Sequence, residues 1–185
     1  TTLGFGDTVP IEPWLRVMAP VQALAGFALL SASATWFLQL HGALARRRAL
    51  ALRVSQLEEA GFVESLAQGS QPAAAVIVES IAQQIAVARV DDVQSTETYY
   101  CRDMDDRASL SSALHIAWRI SQAARQSLDP EVRQSGGVLE AALDDLAQQL
   151  HDSFLAARGA TETPATLDVF ERYSADHHRG RRSTN

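Results

Sequence analysis

The chain has 185 residues, a formal net charge of −6 and a mean hydropathy of −0.07. So modest a negative charge argues against nucleic acid as a general partner, and a single cysteine, Cys101, excludes an internal disulfide framework and fits a reducing cytoplasm. The ordinary overall hydropathy hides a strong segregation, because one apolar run is averaged with a long polar remainder.

The chain opens Thr1-Thr2-Leu3-Gly4-Phe5-Gly6-Asp7. Gly4 and Gly6 can take positive φ at little steric cost, and alternating them with ordinary residues lets successive carbonyl oxygens face one side. Four copies around an axis would stack these oxygens into rings that replace the hydration shell of a potassium ion, with the Thr2 hydroxyl adding a further ring. A plain Gly-x-Gly-Asp turn has the same letters, so the following segment decides. From Val17 to Leu40 there is no Asp, Glu, Lys or Arg. At 1.5 Å per residue that run covers roughly 36 Å of helix, enough to cross a hydrocarbon core of about 30 Å with some tilt. Signal peptides have shorter apolar cores. The buried core helix of a soluble protein is the alternative, since Gln22, Ser31, Ser33, Thr35 and Gln39 soften the run.

These residues resemble the filter and inner helix of pore-loop potassium channels, especially bacterial ones with two membrane helices per subunit. The likeness rests on Thr1 to Asp7, Pro10, Trp14, Arg16, the mid-helix Gly26 and Ala34-Thr35-Trp36-Phe37. It implies that Thr1, Thr2, Leu3, Gly4, Phe5 and Gly6 form the ion-binding filter and that Asp7 braces its outer mouth. It further implies that Gly26 is a bending point for the gate and that Leu30 and Ala34 face the inner cavity. Phe5 stands where tyrosine is commoner and Leu3 where valine or isoleucine is. The resemblance also places an outer helix and a pore helix before the filter, so the chain is expected to be a fragment of a longer, multi-pass subunit. With one filter per subunit, the assembly it implies is a homotetramer.

Arg46, Arg47, Arg48 and Arg53 crowd the far end of the apolar run, while Asp7 and Glu12 precede it. The positive-inside rule then puts the C-terminal side in the cytoplasm and the filter outside. Within the run, Pro20 should kink the helix, and Gly26 permits either bending or close packing against another helix. Trp14 and Trp36 suit an aromatic belt.

Beyond the arginines the periodicity predicts an all-α cytoplasmic region. Leu50, Val54 and Leu57 carry the inner helix on to Gly61 or Gly69. Ile77, Ile81, Ile85 and Ala88 make a second stripe, and a third helix is predicted over Ser109 to Leu128 with Leu110, Leu114, Ala117, Trp118 and Ala124 inward. Asp129-Pro130 is a cap-plus-proline start that Gly136-Gly137 could break, before a stripe at Leu139, Leu143, Leu146, Leu150 and Phe154. In the linking stretch, Tyr99 and Tyr100 are expected to pack. Asp103, Asp105 and Asp106 invite a divalent metal, but they lack the glycine and final glutamate of a calcium loop and equally fit a solvated loop.

The organisation expected is a filter and inner helix over residues 1–45, a helical extension or linker over 46–70, a helical domain over 71–158 and a polar, disordered tail over 159–185. The tail is allowed one short turn near Leu167 to Tyr173. No row of arginines marks a voltage sensor, no phosphate-binding loop implies a nucleotide, and no positioned nucleophile implies an enzyme. The functional expectation is a passive potassium pore in the bacterial cytoplasmic membrane, with potassium, the lipid bilayer and identical subunits as partners and no cofactor. A non-selective cation pore, or a soluble helical adaptor, is the alternative.

Overall fold

In a computed structural model, the residues described are 11–68, 73–103, 105–155 and 164–178. Helix α1 spans Pro13–Glu59, α2 Phe62–Gln68, α3 Ala74–Gln94, α4 Leu110–Arg125, α5 Pro130–Leu150 and α6 Thr166–His178. Two 3₁₀ turns, Thr96–Tyr100 and Asp106–Ala108, join α3 to α4, and a π turn over His151–Leu155 extends α5. No strand occurs among the described residues, so the fold is all-α. Two compact units divide the chain, Thr1–Gly42 and Ala43–Asn185.

In the first unit α1 is continuous through Pro20. Its side chains are largely exposed, Val17, Leu24, Phe27, Leu29 and Leu38 among them. The second unit holds the core. Leu50, Ala51, Val54 and Leu57 from the end of α1 are buried with Val78, Ile81 and Ile85 of α3, Leu114 and Ile120 of α4, and Leu139, Leu143 and Leu146 of α5. The stretch after the arginines, expected as a helical extension or linker, thus continues α1 and contributes to this core. Helix α1 stops where Gly61, at φ 71°, provides the left-handed residue that lets its backbone N–H return to the Glu58 carbonyl at 2.9 Å.

Gly136-Gly137 does not break α5. The helix starts at Asp129, whose carboxylate accepts from the Glu131 N–H at 2.9 Å with Pro130 in the first turn, and it runs through both glycines to Leu150. A Cβ on Gly136 would lie 2.8 Å from the Ala124 Cβ and 2.9 Å from the Arg125 backbone nitrogen. At this glycine α4 and α5 approach too closely for a Cβ, and tertiary contact outweighs its low helix propensity. Ile77 and Trp118 are only partly buried against the core.

The expected disordered tail contains a helix instead. Over Thr166–His178, α6 packs on α4 and α5 and buries Val169, Phe170 and Tyr173. These three fall at i, i+1 and i+4, one apolar face of a short amphipathic helix. Lying in a polar sequence, so narrow a stripe reads as little more than a turn.

Candidate functional site

The predicted filter, Thr1 to Gly6 with Asp7, lies outside the described residues. The predicted cavity residues fall on α1. Gly26, Leu30 and Ala34 are spaced by four, so they share one stripe of the helix, and Leu30 is 59% exposed. The helix is long and apolar enough to cross a membrane, and none of its most apolar window is buried. Among the described residues nothing covers that window, as the core helix of a soluble protein would be covered. Phe27, Leu30, Trp36 and Phe37 are all more than half exposed, and large exposed apolar patches mark membrane or protein contacts. Thr35 satisfies its hydroxyl internally, donating to the Ser31 carbonyl at 2.9 Å. The ring of His41 lies 6.3 Å from that of Phe37.

The three arginines after the span do not project freely. Consecutive helical residues point about 100° apart, so Arg46, Arg47 and Arg48 reach three different neighbours. Arg46 grips Asp91 of α3 with two hydrogen bonds, Nε to Oδ2 at 2.8 Å and Nη2 to Oδ1 at 2.6 Å. Arg48 donates to Asp103 at 2.7 Å. Arg47 points inward and is 3% exposed. Its Nη1 donates to the Thr98 carbonyl at 2.7 Å and lies 3.8 Å from Asp92, while Nη2 donates to the Tyr173 hydroxyl at 2.8 Å. The Arg47 side chain therefore ties the continuation of α1 to the turn after α3 and to α6.

Burial raises the Asp92 carboxyl above the ordinary carboxylate range, against the lowering pull of Arg47 and of the Thr98 hydroxyl, which donates to it at 3.0 Å. Burial likewise pushes the Tyr173 phenol up to about 12, so it stays neutral and accepts from Arg47. Asp91 and Asp92 sit near the C-terminal end of α3, where the helix dipole disfavours carboxylates. Their arginine partners compensate. Two adjacent acids at a helix C-terminus are the one signal by which the sequence could have betrayed this cluster.

Tyr99 is buried and stacks on Phe154 with ring centroids 3.9 Å apart, whereas Tyr100 is 75% exposed and meets both rings only by edge contacts. The expectation that both tyrosines pack holds for the first alone. Of the acidic trio, Asp103 is taken by Arg48 and Asp105 accepts from the Arg107 backbone N–H at 3.0 Å. Cys101, half-buried, faces the Glu97 carbonyl at 3.7 Å. A groove of about 450 Å³ beside Arg46 and Ala49 is closed by Gln83, Gln84, Val87 and Ala88. It holds no titratable group besides Arg46.

Residues 1–40 match a family model described as ion channel. No curated protein and no solved structure matches the chain. The matched stretch covers the filter-like string and the exposed apolar part of α1, so the similarity is to an ion channel and does not extend to the helical unit from Ala43 onward.

Proposed function

We propose that the chain belongs to the pore-forming subunit of a potassium-selective channel of the bacterial two-helix type, with its helical unit in the cytoplasm and four subunits around one axis. The observation that carries this reading is the coincidence of the ion-channel match over residues 1–40 with the string Thr1 to Asp7 and an exposed membrane-length helix. Selectivity rests on the carbonyl oxygens of Thr1 to Gly6, whose spacing replaces the hydration shell of potassium. Asp7 supports the filter, Gly26 bends or packs the inner helix, and Leu30 and Ala34 line the cavity. The pore is passive and needs no cofactor, and permeation requires no enzymatic step. The helical unit assembles the subunits or biases the pore through α1, which needs only a signal that binds two arrangements unequally.

The test is potassium flux into liposomes carrying a subunit that contains this chain, beside Gly4→Ala. Flux that prefers potassium over sodium and vanishes in the variant supports the proposal. Equal flux of both ions replaces it with a non-selective pore. Flux untouched by Gly4→Ala removes the filter from the path.

A further inference from the structure

Helix α3 carries an exposed stripe that its own chain leaves uncovered. Val76, Ser80, Gln83, Val87 and Val90 recur at alternating intervals of four and three, the spacing of a helix–helix seam. All five are exposed, Val76 at 67% and Val90 at 47%. On the continuation of α1, Ala45, Ala49, Leu52 and Gln56 repeat the same intervals and are exposed too. Arg46 grips Asp91 across the two helices, and the groove of about 450 Å³ lies between Ala49 on one and Gln83 and Val87 on the other. The two stripes therefore stand side by side as one wall. Serine and glutamine interrupt its valines, a mixture that suits contact with protein rather than with lipid tails.

The charges on the wall name its partner. Arg46 is taken by Asp91, but Arg53, one turn from Ala49 and Gln56, and Glu79, one turn from Val76 and Gln83, have no ion pair or hydrogen bond among the described residues. The wall thus offers one unmatched cation on α1 and one unmatched anion on α3, so it is complementary to itself. We propose that it is the contact between neighbouring copies of the helical unit, the α1 stripe of one copy against the α3 stripe of the next, with Arg53 paired to Glu79 across the join. The inference rests on the pore reading for the number of copies. A contact between two unlike surfaces repeats around an axis and closes into a ring, as four subunits about one pore require. Copies held together through their spans also meet at an effective concentration far above that of any free partner, so a wall of modest apolar content suffices.

The test uses a subunit that contains this chain with Cys101→Ser, reconstituted in liposomes and treated with a short bismaleimide. A tagged Arg53→Cys copy is co-expressed with an untagged Glu79→Cys copy. Both side chains are exposed and make no contact of this kind within the chain, so neither change disturbs the fold. A linked dimer should form in the mixture and fall to background with either variant alone. Val87→Arg on the Glu79→Cys copy should abolish it, which separates a docked wall from chance collision. A dimer from one variant alone would mean that like surfaces meet, and no dimer in the mixture would leave the wall free or covered by something other than a second copy. Either result overturns the proposal. The pore reading fails separately, through potassium flux: selective flux without the link overturns the contact alone, and the link without selective flux leaves the contact standing.

Discussion

Arg47→Met is the sharpest perturbation this structure offers. Methionine nearly fills the space of the arginine stem but removes the guanidinium, which is 3% exposed and donates to Thr98 and Tyr173. Hydrogen bonds from a charged donor contribute about 1.5–3 kcal/mol each, and the Asp92 carboxylate is left buried without its cation. Breaking a buried pair in this way costs about 3–5 kcal/mol, a large share of the roughly 5–15 kcal/mol that holds a domain. For a unit of about 150 residues, 4 kcal/mol corresponds to a drop of roughly 8–16 °C in Tm. Thermal unfolding in micelles, followed by near-ultraviolet circular dichroism of the tyrosine cluster, measures it. Arg47→Met/Asp92→Asn should regain about 1–2 kcal/mol, because asparagine removes the stranded charge and still accepts from Thr98. The single variant should also recover as pH falls. Burial raises the Asp92 carboxyl in the folded state, so its contribution is most favourable at low pH and is lost as pH rises through the folded value. A loss below about 1 kcal/mol, or a double variant no better than the single one, would refute the claim that Arg47 holds these elements together.

Gly136→Ala should cost about 1–3 kcal/mol by forcing α4 and α5 apart, since its new Cβ would lie 2.8 Å from that of Ala124. Gly137→Ala is its control: the new Cβ would meet only the flexible end of Arg125 at 3.3 Å, so urea denaturation should show no loss and a gain of up to about 1 kcal/mol from helix propensity. Asp129→Ala removes the acceptor for the Glu131 N–H at the start of α5 and should lower stability by about 1 kcal/mol in the same titration.

What the sequence made legible follows the range of the interactions involved. Stripes at Leu50 and Val54, Ile81 and Ile85, and Leu139 to Leu150 are local and repeat with the helix, and all of these residues are buried. The start at Asp129-Pro130 and the stop of α1 at Gly61 are local too. Gly136 misleads because a glycine that breaks an isolated helix is also the residue that lets a second helix come close, and only the neighbour tells which applies. Helix α6 was hidden because Val169, Phe170 and Tyr173 need α4 and α5 to cover them. The arginine cluster joins residues separated by 45 to 126 positions, and no period in the chain encodes that. The apolar run of α1 is legible from length and the absence of charge alone, and it forms a helix long and apolar enough to cross a membrane.

By the positive-inside rule the basic run at Arg46 to Arg48 is an orientation signal, and in the folded unit each of the three is matched by an aspartate: Asp91, Asp92 and Asp103. On the orientation proposed above, the two roles do not compete, because they belong to different stages. Lysines and arginines bias topology by being charged beside the span while it inserts. The partners lie 45 to 55 residues further along, so they pair with the arginines only after that much more chain has been made and the unit has folded. Aspartates bias insertion far less than basic residues do, so supplying the counter-charge from α3 and the loop leaves the signal intact. Once folded, the same charges no longer need lipid headgroups as partners. If the orientation proposed here is right, lengthening the interval between Arg48 and Asp91 should leave insertion unchanged while weakening the Arg46 and Arg47 pairs. Reversing the three arginines to glutamate should disturb both.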